Sequence, residues 1–164
     1  MAKMEGDFYF AENPNAAQLD DAEHAALVGP EAIRKLRSGP AERITPVILA
    51  MRKKDFHLAK KHTRRLFDEG VLIGIASDGP LVPVAHGTHV ERRILNDCGV
   101  APLQVISAAT RDGAIRLTMG VNGKGRRNFG TVEPGMAADL VVLAADPLAA
   151  ISNTRKIEGH AIGA

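Results

Sequence analysis

Gly70-Val71-Leu72-Ile73-Gly74-Ile75-Ala76-Ser77-Asp78-Gly79-Pro80 is the stretch on which the fold turns. Val71 to Ala76 carries no polar side chain, so a strand there is apolar on both faces, as parallel strands covered by helices are. Ser77-Asp78-Gly79-Pro80 then supplies turn chemistry and stops the run. The expectation is a buried, parallel-type strand over 71–77 with Asp78 just past its carboxyl end. In α/β sheets and barrels, catalytic groups collect at that end. A carboxylate placed there can ligate a metal, take a proton from attacking water, or do both. A loop Asp also caps its own turn through its side chain, and spacing does not separate the two readings.

Outward from this stretch the pattern is helical. Upstream, Thr45 suits an N-cap, Pro46 suits the first helical position, and Val47, Ile48, Met51, Leu58, His62 and Leu66 recur near a 3.6-residue period until Gly70. This predicts a helix over 45–69. A shorter helix over Glu31 to Arg37 is expected to end at Ser38-Gly39-Pro40. Downstream, Thr88-His89-Val90-Glu91 has the form of a capping box opening a helix over 88–98, with Gly99 as its stop. Pro102 begins helical sequence over 102–119. Past the polar, Gly-rich segment Asn122 to Asn128, Gly130 to Gly135 reads as a short strand into a turn. Asp139 to Ala144 and Ile157 to Ile162 read as two further strands.

Composition narrows the class. With 164 residues, 45% apolar and 24% charged, the chain is of ordinary globular composition, and no apolar run approaches the ~20 residues of a membrane span. Its length is well short of the ~250 residues of a whole eight-stranded α/β barrel. The single cysteine, Cys98, has no partner for an internal disulfide, and the first ten residues are too polar for a signal peptide, so the cytoplasm is the expected compartment. The net charge of +2 conceals an asymmetry: residues 1–33 carry −6, residues 34–65 carry +9 and residues 66–164 carry −1. The basic block 34–65 is a possible anion or nucleic-acid surface. Phe56 is its only aromatic residue, so base stacking has little support, and a solvated helix face answering the acidic block is the expected reading.

Other candidates for chemistry are fewer. His86, His89 and Glu91 form H-x-x-H-x-E, rich in ligand types, although residues two apart on a helix do not share a face. As a metal cluster this is weak; as residues facing a substrate pocket, His86 and His89 remain candidates. His57 and His62, five apart, lack the i, i+4 geometry of zinc helices. Gly123-Lys124-Gly125 lacks the phosphate-loop pattern, and neither a serine nucleophile elbow nor a dinucleotide fingerprint is present.

Four segments taken together, in order, resemble the C-terminal part of the metal-dependent amidohydrolase superfamily, in its imidazolonepropionase-like and prolidase-like branch. Gly70 to Gly79 resembles the eighth barrel strand with its terminal Asp, and His86-Gly87-Thr88-His89-Val90-Glu91 the loop and helix start that follow. Val100-Ala101-Pro102-Leu103-Gln104-Val105-Ile106-Ser107-Ala108-Ala109-Thr110 is similar to that family's "G(L/V)xPLEALxAAT" helix. Gly130 to Leu143, followed by Asp146-Pro147-Leu148 and Asn153-Thr154-Arg155, is similar to its "GTIEPGKxADLVVLDxDPL…NTR" tail. Residues 1–69 resemble the preceding barrel segment only loosely.

The resemblance implies an α/β fold: a partial (β/α)8 TIM-type barrel over residues 1–120, comprising its last few βα units, then a small β-sandwich portion over 121–164. It implies hydrolysis of an amide or cyclic-amide C–N bond by activated water, with Asp78 as metal ligand and proton shuttle and His86 and His89 beside the substrate. The family's divalent metal, zinc foremost, is held by His, a carbamylated Lys and Asp. This chain departs from that set: it has no His-x-His near its start, no identifiable bridging Lys and no pair of strand-end His. A catalytic metal needs about three protein ligands, so the chain alone is expected to retain no metal and to be incomplete as an enzyme. The expected partners are a small amide-type substrate and either a second copy or a complementary N-terminal polypeptide. A non-catalytic remnant serving as an interaction module is the alternative, and neither nucleic acid nor membrane is expected as a partner.

Overall fold

Two glycines end two helices in the same way, and much of the architecture hangs from them. The computed structural model describes residues 5, 12, 13, 20, 22–76, 87–119 and 128–163. Its helices are α1 (Ala22–Val28), α2 (Pro30–Arg43), α3 (Pro46–Asp68), α4 (Gly87–Asp97), α5 (Pro102–Ala109) and α6 (Arg111–Met119). Strands β1 (Leu140–Leu143) and β2 (Ile157–Ala161) flank a 3-10 turn over Ile151–Arg155. The chain divides into two compact units, residues 1–62 with 76–94 and residues 63–75 with 95–164.

In the first unit, Gly29 in the left-handed region (φ +79°) turns α1 into α2. Ile33 and Leu36 on α2 are buried against Ala25 and Val28 of α1, an i, i+3 stripe on each helix. α2 continues through Ser38-Gly39-Pro40 to Arg43, where the sequence predicts a stop. Pro40 has no N–H to give to the carbonyl of Leu36, while Ser38 Oγ donates back to the Arg34 carbonyl at 3.2 Å. α3 begins as expected, with Thr45 Oγ1 accepting from the Ile48 N–H at 3.3 Å and Pro46 at the first helical position. No residue of α3 is fully buried. Its basic side chains answer the acidic block: Lys53 Nζ pairs with Glu12 at 2.5 Å and Arg37 of α2 pairs with Asp20 at 2.5 Å.

In the second unit, α3 and α4 both end in Schellman motifs. At α3, Gly70 (φ +71°) donates to the Phe67 carbonyl and Val71 to that of Leu66, at 3.1 and 3.0 Å. At α4, Gly99 (φ +86°) donates to Asn96 and Val100 to Leu95, at 2.8 and 3.2 Å. Leu95 and Val100, the residues this motif brings together, are both buried, as are Val105, Ala108, Ala114 and Ile151. α5 starts at Pro102, and Gln104 Oε1 accepts from the Ala101 N–H at 3.3 Å; alanine itself offers no capping oxygen.

Beyond the continuation of α2, three expectations are corrected. Val71–Ala76 is not a buried strand: it has no strand pairing among the described residues, and Val71 is exposed. A strand is held by a neighbour's backbone. Here Ile75 instead donates to the Ala108 carbonyl at 3.2 Å, and Gly74 passes so close to α6 that a Cβ would lie 3.3 Å from the Gly113 Cα. Gly130–Gly135 likewise forms no strand among the described residues, but its turn is present: Met136 donates to Glu133 at 3.1 Å around Pro134 and Gly135 (φ +84°). At α4 the helix already includes Gly87, so Thr88 lies inside it and is not its cap.

β1 and β2 form a two-stranded antiparallel sheet, with Leu140 opposite Ala161, Val141 opposite His160, Val142 opposite Gly159, and a register shift before Leu143 and Ile157. The ribbon is fastened by carboxylates. Asp139 Oδ1 accepts from the Gly163 N–H at 2.9 Å, Asp146 Oδ1 accepts from Leu148 at 2.8 Å, and Asn153 Nδ2 donates to the Asp146 carbonyl at 2.8 Å. The described fold is thus mixed helix and strand, rich in helix, and compatible with part of an α/β domain.

Candidate functional site

α4 carries the site residue that can be placed. Its first two turns hold His89, Glu91 and Arg92, and the helix stands because Gly99 ends it and Ile94 and Leu95 bury its apolar side. His89 is half-buried, and its Nδ1 lies 3.4 Å from Arg92 Nη1 across one turn. Residues three apart are neighbours on a helix surface, so this pair follows directly from the spacing. Glu91 is buried and, being two residues from His89, lies on another face. Asp78 and His86 lie outside the described residues, as does Gly123-Lys124-Gly125.

Arg92, neither a metal-ligand type nor a nucleophile, is the residue here that the sequence pattern does not single out. Its Nε is shut off from solvent and has no hydrogen-bond acceptor. Burial pushes its guanidinium below the usual arginine pKa, because desolvation opposes the charged form. Arg64 and Arg111 go the other way, each raised by a hydrogen-bonded carboxylate, Asp68 and Asp112 respectively. The sequence signal was available: a cation three residues after a histidine, on a helix whose other side is apolar.

Among the described residues no three His, Cys, Asp or Glu side chains come together where they could hold a metal ion. Asp139 and Asp146 are committed to backbone N–H groups of the ribbon. His57 and His62 are exposed on α3, and Cys98 is half-buried after α4. The described residues therefore do not by themselves make a metal centre.

The model of the amidohydrolase family matches residues 24–159, which is most of the chain. The chain belongs to the amidohydrolase family. No curated protein and no solved structure matches it. Among the described residues, no helix is long and apolar enough to cross a membrane.

Proposed function

We propose that this chain is the C-terminal portion of a hydrolase that cleaves the C–N bond of a small amide or cyclic amide with activated water. The family match over residues 24–159 carries the reading. In it, residues 1–120 contribute the last units of a TIM-type barrel and residues 121–164 a β-sandwich portion, in the imidazolonepropionase-like and prolidase-like branch. Asp78 is the proton acceptor and the chain's carboxylate toward a divalent metal, zinc foremost, and His86 and His89 border the substrate. One carboxylate is too few for a catalytic metal, so the remaining ligands are assigned to a complementary N-terminal polypeptide, in the cytoplasm.

The test is co-expression with a polypeptide supplying the missing strand-end ligands, followed by elemental analysis and an amide-hydrolysis assay. Metal and turnover are expected in the pair, and both are expected to be lost in Asp78→Asn. Near-equimolar zinc or manganese on the chain by itself, with turnover abolished by Asp78→Ala, would overturn the two-polypeptide reading. A second reading, a non-catalytic interaction module, is supported by the exposed apolar side chains of α3 and the ribbon, among them Val47, Met51, Leu58, Val141 and Val142. A folded pair with metal bound but no turnover on any amide would favour it.

A further inference from the structure

We propose that Arg92, braced by His89, is a binding site for a small oxyanion, a carboxylate or a phosphate. The guanidinium offers five N–H donors in a planar fork that matches two oxygens of such a group. In the described structure it makes one polar contact, from Nη1 to the Nδ1 of His89 at 3.4 Å, and its Nε is sealed off without an acceptor. A half-buried cation with an orphaned donor is costly unless an anion comes to it.

The neighbouring residues sharpen the contrast. Arg93, one position on, hydrogen-bonds the carboxylate of Glu5. Arg64 and Arg111 have Asp68 and Asp112. Among the described residues Arg92 has no carboxylate partner, although Glu91 precedes it, because consecutive helical residues point about 100° apart. Its contact is instead an imidazole, which in its neutral form accepts one N–H and fixes the rotation of the guanidinium, leaving the rest of the fork unmatched. The lowered pKa of Arg92 agrees with this, since a resident anion would raise it. The inference concerns binding alone and stands whether or not the chain takes part in amide hydrolysis.

Nitrogen-15 NMR of the full chain tests it at the atom concerned. The Arg92 Nε–H resonance, assigned through bonds from the α4 backbone, and the α4 backbone amides, which also report on variants without the guanidinium, are followed during titration with sodium malonate and, separately, sodium phosphate, with sodium chloride at matched ionic strength as reference. A saturable shift is expected with malonate, phosphate or both: malonate alone marks a carboxylate site, phosphate alone a phosphate site, and both a general oxyanion site. Arg92→Lys keeps the charge but loses the fork, and is expected to weaken binding about tenfold or more. His89→Gln, which leaves the guanidinium in place without its brace, is expected to weaken it less. A shift that tracks ionic strength without saturating overturns the proposal, as does equal binding by Arg92→Gln. Should Arg92→Gln fail to fold, the wild-type titration and His89→Gln decide.

Discussion

Arg64 of α3 donates a guanidinium N–H to the carbonyl oxygen of Gly99, the left-handed residue that closes α4. The same arginine holds Asp68 one turn along α3 at 2.6 Å, so the end of one helix is tied to the terminating turn of the next. The turn depends on glycine for its backbone and not for space. A Cβ on Gly99 would sit 3.4 Å from Arg64 Nη1, the mobile end of a long side chain. Gly99→Ala is therefore expected to cost about 1–2 kcal/mol, the penalty of a left-handed non-glycine residue. Gly70→Ala, at φ +71° with nothing within 4 Å of its Cβ, is expected to cost the same. Urea unfolding checks both, and a Gly70→Ala midpoint equal to wild type would contradict the Schellman assignment.

Gly130 presents the opposite case. It too has positive φ (+95°), but a Cβ there would lie 2.5 Å from the Ala114 Cβ and 3.2 Å from the Thr110 carbonyl. Strain and overlap combine, so Gly130→Ala is expected to cost about 3 kcal/mol or more. Part of that is recoverable. Combining it with Ala114→Gly removes the closest clash, and a double-mutant cycle should show favourable coupling on top of the cost of placing glycine in α6. Additive losses would mean that Gly130 does not lie against α6.

How much of this was readable beforehand divides along the range of the forces involved. Thr45-Pro46, Gly70, Gly99 and Pro102 mark helix ends within four residues of the hydrogen bonds they serve, and each was legible. Val71–Ala76 was not, because an apolar run becomes a strand only when another backbone lies beside it, and nothing local specifies that neighbour. Its contact with Ala108 and Gly113 belongs to the packing of α5 and α6. The continuation of α2 through Pro40 likewise overrides a local stop signal. Of the candidate site, His89 was recognised as a chemical group, whereas Arg92 was missed because an unmatched cation shows itself only once burial and the absence of an acceptor are visible.

Leu95 and Leu103 separate packing from composition. Leu95 is 3% exposed at the end of α4, while Leu103, at the start of α5, is 62% exposed. Leu95→Ala is expected to cost about 2–5 kcal/mol, the range for deleting a buried leucine side chain and leaving a cavity. Leu103→Ala should stay within about 0.5 kcal/mol of wild type in the isolated chain, since it removes little buried surface. Denaturation midpoints at constant m-value test the pair. A large loss at Leu103 would show that α5 is covered on that side in solution.

The opening turn of α2 should carry a small, signed pH dependence. Glu31 accepts from Arg34 Nη2 at 2.9 Å and from its Nε at 3.2 Å, with Lys35 Nζ 3.4 Å away. The Arg34 hydrogen bonds first, and that of Lys35 second, hold the Glu31 carboxyl below the usual glutamate range. Because the folded value lies below the unfolded one, the ionised carboxylate stabilises the folded form above the unfolded value, and that contribution disappears as pH falls through the folded value. The negative charge also suits the helix N-terminus. All three side chains are largely exposed, so the effect is small and screened by salt. Helix content followed by circular dichroism from neutral pH down through the glutamate range should fall more in wild type than in Glu31→Gln, with the difference shrinking at high salt. Parallel curves for the two proteins would remove Glu31 as a support of α2.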